Sequence, residues 1–461
     1  MEKILFVSFH TRSVWFKTLS SVLKNKYEID ILFFMEFEFH RDPKKIKIDY
    51  SRINKIFNNY NHIMMSVNQY TMEGVLGILR NVNLNNRNKI ILGGPAVIIN
   101  PSYFLRFIKH LCFWEGENID SYLKNINNKK NIPNFDKSKI YYQIDNLDKL
   151  PFPNMEFDNY YFYIKNKIII KKKFDYKGWF CVETIRGCPF NCTFCNNRVY
   201  NQIKKSNKLR LIRKKSLDRI FKELIYVKEK GFNTIDIVDD NFFLRSIEEI
   251  KEFVSRYNKE INLTLYINLD MRSKNFLEKF QKINKIKEKL VICIGIQNGD
   301  ENFRKDEYNR VISNKLIIKL DKEMHKIKNN KFLTLYEFIW GHPCETELNI
   351  TKSINLIKKL KGIISLCRYI ELGKKGRYCF DDKEVFTLGK KSFLYIQMIL
   401  FVYLKNKNIK LNINPLENTI ICKIFSNYML SKTFSFFLSF INDFKIKRKL
   451  QDDYHYLNKI S

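Results

Sequence analysis

The chain has 461 residues, 45% hydrophobic and 15% aromatic, enough to fill the cores of two or three ordinary domains and to exclude wholesale disorder. Its 82 Lys+Arg against 48 Asp+Glu give a formal charge of +34. The excess is mostly lysine spread from end to end beside abundant Asn and Ile, with no compact basic block, which reads as a coding bias and makes a nucleic-acid partner unlikely.

Met1-Glu2-Lys3 runs straight into a strand-like segment with no secretory pattern, and the longest apolar run, Phe393 to Leu404, is too short for a membrane span. A reducing, cytoplasmic setting is the expectation. Residues 1–130 alternate strand-like runs (4–7, 29–34, 62–67, 90–93, 111–114) with helical stretches near 12–24, 72–83 and 101–109. This rhythm predicts a Rossmann-like open parallel sheet with helices on both faces. Ligands of such sheets bind beyond the carboxyl ends of the strands. The residues there include Ser66, Gly93-Gly94-Pro95 and Glu115-Gly116-Glu117.

Pro133, Pro151 and Pro153 mark 131–176 as a linker, whose lysine-rich run 164–173 suits an edge hairpin. A second series follows in 177–371, with strands at 179–185, 234–238, 262–267, 290–296, 332–340 and 363–371. Ser216, Ser246 with Glu249, Ser313 and Thr346 stand where helix caps belong. Six strand–helix units predict a partial (β/α)6 TIM-type barrel with its chemistry at the carboxyl ends of the strands. Residues 372–461 lose the strand rhythm and read as a helical C-terminal extension.

Between the two series lies Gly187-Cys188-Pro189-Phe190-Asn191-Cys192-Thr193-Phe194-Cys195. Of ten cysteines, Cys188, Cys192 and Cys195 are clustered as C-x3-C-x2-C and the rest are scattered. A closed structural zinc site wants four ligands. Three thiolates suit a cubane iron–sulfur cluster with one iron left without a protein ligand, a place where a small molecule can bind and react.

These cysteines, with Phe194 before the last, resemble the cluster motif of the radical S-adenosylmethionine (SAM) enzymes. So do the segments Val238 to Phe243, Gly295 to Asp300 with Tyr308-Asn309-Arg310, and Gly341 to Thr346. The N-terminal part, with Gly93-Gly94-Pro95, Gly116-Glu117 and the Pro151-Phe152-Pro153 linker, is similar to the cobalamin-binding domain fused ahead of many such barrels.

The resemblance implies a [4Fe-4S] cluster on Cys188, Cys192 and Cys195. SAM would chelate its open iron and be cleaved by one electron to a 5′-deoxyadenosyl radical. Phe194, Asp240, Gln297, Arg310 and Gly341 would contact SAM, and Ser66, Gly93, Gly94, Gly116 and Glu117 would contact cobalamin. It also implies an external electron donor of the flavodoxin or ferredoxin type. The expected outcome is methyl transfer to an unactivated carbon or phosphorus of a small-molecule, lipid or peptide substrate. Radical rearrangement, cyclisation or oxidation without methyl transfer is the alternative. From outside enzymology, the competing class is a basic nucleic-acid-binding protein with a structural cluster. Two positions depart from the family pattern: Cys344 stands where glycine is usual, and Gln297 where glutamate is frequent. A D-x-H-x-x-G motif for ligating cobalt through histidine does not occur, although His10 lies in the first strand–helix loop.

Overall fold

The computed structural model describes residues 1–35, 48–68, 71–112, 115–127, 143–173, 178–327 and 332–369, with a few helical positions between 394 and 406. The expected helical extension over 372–461 otherwise lies outside the described residues, as do the ends of the first linker. The fold is α/β, with two sheets of seven and six strands. The chain divides into two compact units, one spanning Met1–Val227 and the other beginning at Lys228.

In the first unit β1 (Lys3–Ser8), β2 (Glu28–Phe34), β3 (His62–Ser66), β4 (Ile90–Gly93) and β5 (His110–Leu111) form the parallel part of the seven-stranded sheet. The first four are almost wholly buried, so both faces are covered and their sequences are continuous apolar runs. The strand order β5-β4-β3-β1-β2 reverses at β1. The crevice beyond β1 and β3 is therefore the switch point at which an open α/β sheet takes a ligand.

The stretch 101–109, expected as one helix, yields only Pro101–Phe104, preceded by Pro95–Ile99. Pro101 cannot continue a helix from above, so Asn100 caps a new start, its side chain accepting from Tyr103 N–H. The expected edge hairpin is present but begins earlier, as β6 (Tyr160–Ile164) and β7 (Lys167–Lys171). Its turn residues Lys165 and Asn166 both take positive φ (47° and 61°), the handedness that two-residue hairpin turns need. β6 lies parallel to β2 and β7 closes the sheet edge, so part of the linker is sheet. β9 (Ile185–Arg186) and β10 (Arg213–Lys214) form a separate two-stranded sheet with Arg186 opposite Arg213 in an antiparallel pair, and β8 (Trp179–Val182) is the sixth strand of the six-stranded sheet.

The second unit is built on β11 (Thr234–Ile237), β12 (Thr264–Leu269), β13 (Leu290–Gln297), β14 (Phe332–Trp340) and β15 (Ile363–Arg368). They pair in parallel, in chain order, with a helix between successive strands. This matches the barrel-type series read from the sequence. The caps do too: Ser246 with Glu249 forms a reciprocal capping box, Thr346 with Asn349 another, and Ser313 accepts from Leu316 N–H. Among the described residues, no helix is long and apolar enough to cross a membrane.

Candidate functional site

The cysteine loop sits in the first unit between β9 and the helix Asn196–Ser206, which Cys195 caps. Cys188 and Cys192 are buried, Cys195 is half-buried, and all three are outside any disulfide. Asn201 holds the loop from within the helix. Its buried amide donates to the Cys188 carbonyl at 2.9 Å, the Phe190 carbonyl at 3.4 Å and Asn191 Oδ1 at 2.9 Å. Asn197 Nδ2 lies 3.6 Å from Cys195 Sγ as a donor to sulfur. The N-terminal end of the helix adds partial positive charge beside the loop, which favours an anionic group there. Three cysteine sulfurs on one short, braced loop therefore fit a cluster held at three of its irons. Phe194 is half-buried in the same loop.

Gly187 is required at the root of this loop. It has φ +97°, and a Cβ there would lie 2.1 Å from the Leu211 carbonyl oxygen. Gly187→Ala is expected to cost about 1–3 kcal/mol in backbone strain, with further loss from displacing Leu211, and to lower iron incorporation; denaturation midpoints and iron content measure both.

The loop is also anchored by charge. Arg186, two residues before Cys188, is buried among three carboxylates: Glu115 at 2.8 Å, Glu117 at 2.6 Å and Glu183 at 2.6 Å. Arg213 across the β9–β10 pair also grips Glu115, and Lys204 Nζ donates to the Leu211 carbonyl at 2.9 Å. Burial pushes the Glu117 carboxyl above its usual range, and Arg186 opposes that shift. Glu117, expected to face cobalamin, thus has one oxygen on Arg186; the other, Oε2, is buried with no hydrogen-bond partner among the described residues. Arg186, Arg213 and Asn201 are not marked in the sequence by any motif, since their importance comes from what they meet across the fold.

At the switch point of the first sheet, Ser66 lies opposite Gly93 in the β3–β4 register. Gly94 has φ +98°, and a Cβ there would overlap Ser66 Oγ at 2.5 Å and the Val67 backbone at 2.8 Å. The structure therefore brings Ser66, Gly93 and Gly94 together, with Gly94 packed directly against the end of β3. Gly116 (φ +80°) packs against Cys112 and Leu19. His10 is kept neutral by burial and the charge of Arg12.

In the second unit, Gln297 and Arg310 meet at the carboxyl end of β13. Gln297 has φ +79°, and its amide curls over Gly295, where a Cβ would come within 2.2 Å of Nε2. Arg310 donates to the Gly295 carbonyl and, at 2.9 Å, to Asp270 Oδ2. Arg272 grips the same carboxylate at 2.8 Å and 3.0 Å. Arg310, expected to pair with the SAM carboxylate, is thus engaged with a protein carboxylate in this structure.

Burial would raise the Asp270 carboxyl, but the two guanidinium groups outweigh it and hold it at about 2 instead of 3.8. A carboxyl depressed in the folded state stabilises above its unfolded value, and that stability disappears as pH falls through the folded one. Asp270 is therefore expected to contribute about 2 kcal/mol above roughly pH 4, lost between roughly pH 4 and pH 2. An Asp270→Asn variant, compared with the parent in acid denaturation, should lack that component.

Asp240 is exposed, whereas Asp239 and Asn241 are buried. Asn241 accepts from Phe243 N–H at 3.1 Å and donates to Ser273 Oγ at 2.9 Å, so it organises the turn after β11. Gly341 (φ +84°) donates its N–H to Glu345 Oε2 at 3.1 Å and to Tyr395 Oη at 3.2 Å. The other Glu345 oxygen accepts from Asn298 Nδ2 at 2.6 Å. This buried glutamate ties the turn after β14 to the end of β13, a role hidden in the Gly341–Thr346 segment.

A two-unit α/β chain with a braced three-cysteine loop ahead of a parallel strand–helix series is the architecture of a radical SAM enzyme that carries a cobalamin-binding-like N-terminal domain. Residues 182–357 match the Radical SAM superfamily model, so this part of the chain is a radical SAM domain. It is 26% identical over 368 residues to the uncharacterized protein MJ0966 of Methanocaldococcus jannaschii, covering 76% of this chain and 74% of that protein. It is 22% identical over 359 residues to the ribosomal protein uS12 methylthiotransferase RimO of a Hydrogenobaculum species, covering 72% and 83%.

Among solved structures, the radical SAM methyltransferase TsrM from Kitasatospora setae, with tryptophan substrate and a SAM analog bound, superposes with a TM-score of 0.55. The identity is 14%, over 81% of this chain and 74% of TsrM. A second TsrM structure, holding cobalamin and a [4Fe-4S] cluster, gives a TM-score of 0.52 at 13% identity, over 79% and 75%. At such identity the likeness is one of fold. The superfamily's cofactors are a [4Fe-4S] cluster and SAM.

Proposed function

We propose that the chain is a cobalamin-dependent radical SAM methyltransferase acting on an unactivated carbon or phosphorus. In this reading Cys188, Cys192 and Cys195 hold the cluster, which with SAM supplies the 5′-deoxyadenosyl radical. Asn201 and the Arg186 network keep the three sulfurs in register. By the family resemblance, Phe194 would contact SAM from the cysteine loop, and Asp240, Gln297 and Gly341 would each be a SAM contact at a strand end of the second unit. Arg310 serves it by fixing the carboxyl end of β13 unless it exchanges Asp270 for the SAM carboxylate.

The observation that carries the cobalamin part is the sheet's switch point between β1 and β3, with Ser66, Gly93 and Gly94 at the strand ends beside it. Only glycine fits at Gly94, where a Cβ would strike Ser66 Oγ and the Val67 backbone, so the ends of β3 and β4 approach closely at this crevice. Glu117 Oε2 is a buried acceptor suited to a ligand amide, and Gly116 gives the turn that carries it. The likeness in fold to TsrM, whose structure holds cobalamin and a [4Fe-4S] cluster, supports this reading, and a methylthiotransferase stands among the relatives. The absence of a D-x-H-x-x-G motif argues against a mode of binding in which a histidine ligates cobalt. The eight described cysteines, none of them in a disulfide, suit a reducing, cytoplasmic setting, and a flavodoxin or ferredoxin would supply the electron.

The test is anaerobic purification with hydroxocobalamin. Stoichiometric retention, with a cob(II)alamin spectrum free of nitrogen splitting, is the expected result. Failure to retain cobalamin sinks the methyltransferase reading and favours radical chemistry without methyl transfer.

A further inference from the structure

One group of chemistry-bearing side chains has no part in the site above. Glu307, His342 and Cys344 each offer a ligand atom, and these atoms all lie within 4.8 Å of one another. They come from two elements. Glu307 follows the helix Glu301–Asp306 as its C-cap, and His342 and Cys344 flank Pro343 in the turn after β14. In tetrahedral zinc sites, bonds of about 2.0–2.3 Å put ligand atoms about 3.3–3.8 Å apart. The group is therefore within an ångström or so of that spacing, a distance that a small rotation of an exposed cysteine and a half-buried glutamate can close.

We propose that Glu307, His342 and Cys344 bind a divalent transition-metal ion, zinc foremost, as a site separate from the cysteine loop. The donor set decides the metal class. Thiolate and imidazole favour zinc over magnesium or calcium, which take oxygen. Three protein ligands leave one position of a tetrahedron open, the pattern of catalytic rather than structural zinc.

The surroundings give a fixed ligand and an open face. His342 is buried, and its ring is held edge-on by Phe303 at 5.3 Å, Tyr308 at 5.5 Å and Tyr369 at 4.3 Å. Its Nδ1 lone pair already points toward the turn, where it accepts from Cys344 N–H at 3.2 Å. A metal ion on that side replaces a long hydrogen bond with a Lewis acid. Cys344 is exposed, so the open position faces solvent and can take water or an anionic oxygen or sulfur of a substrate. Cys344 is also the residue that departs from the family's glycine. The proposal gives that departure a chemical reason.

The experiment uses the full chain with its iron–sulfur cluster loaded, so that zinc cannot occupy Cys188, Cys192 and Cys195. After equilibration with zinc and passage over a chelating resin, zinc content is measured alongside zinc-edge X-ray absorption, which is blind to the iron. The expected result is stoichiometric zinc with a single sulfur near 2.3 Å and the remaining ligands nitrogen or oxygen. Cys344→Ala and Glu307→Gln should each weaken retention by at least about tenfold, with cluster iron and circular dichroism unchanged. Zinc retention equal in the parent and Cys344→Ala overturns the proposal, as does a zinc spectrum with several sulfur ligands. Neither outcome bears on the methyltransferase reading, which rests on cobalamin retention.

Discussion

Arg186→Ala is expected to destabilise the chain by about 3–5 kcal/mol, because it leaves buried carboxylates without their counter-charge. Arg186 is the hub of Glu115, Glu117 and Glu183, at 2.6–2.8 Å, and stands two residues before the first cluster cysteine. Arg213 remains on Glu115, but Glu117 and Glu183 lose the guanidinium that pairs with them. Lysine in its place carries the charge as a single point and cannot fork among three acids, so Arg186→Lys should recover only part of the loss.

The pH dependence has a definite sign. Glu117 already titrates above the usual carboxylate range because of burial, and removing Arg186 takes away the charge that opposes this shift. A carboxyl raised in the folded state favours folding when protonated, so its penalty grows as pH rises. The deficit of Arg186→Ala should therefore be smaller at about pH 5 than at about pH 8. Denaturant unfolding at the two values, with iron content as a second readout, checks both claims. A loss under about 1 kcal/mol, independent of pH, would show that the network carries no such load.

The second large effect lies in the cysteines. Cys188→Ala, Cys192→Ala and Cys195→Ala are each expected to abolish stable [4Fe-4S] incorporation and, with it, all reductive cleavage of SAM. Two ligands cannot hold a cubane that three hold with one corner already open. The comparison that gives this meaning is with neighbours outside the loop. Cys181 is also buried, on β8, and Cys344 is exposed. Cys181→Ser and Cys344→Ala should both retain the cluster. Loss of iron in those variants as well would mean a general folding defect and not ligation.

The sequence announced the elements that depend on local pattern. Buried parallel strands read as apolar runs, so β11 through β15 fall within a few residues of their expected positions, and each cap residue performs its expected hydrogen bond. Cys188, Cys192 and Cys195 were legible because their spacing is itself the chemistry. What stayed hidden depends on partners distant in sequence. Arg310 looked free to meet a carboxylate, and the fold gives it Asp270, forty residues earlier. Glu117 looked like a ligand-loop acid, and one of its oxygens is taken by Arg186. Asn201, Glu345 and Arg213 had no local signature, since a side chain that braces a loop is recognised only once the loop is folded beside it. His342 and Cys344 were visible as residues of a familiar segment, but their proximity to Glu307 was not.

The central claim is that three sulfurs on one braced loop carry a cubane with a vacant corner for SAM. Electron paramagnetic resonance of the full chain, reconstituted without oxygen and reduced with dithionite, tests it most directly. The account predicts a [4Fe-4S]+ signal whose shape changes when SAM is added, because the added molecule binds the open iron. A chain that stays colourless and gives no signal, or a signal indifferent to SAM, would contradict it.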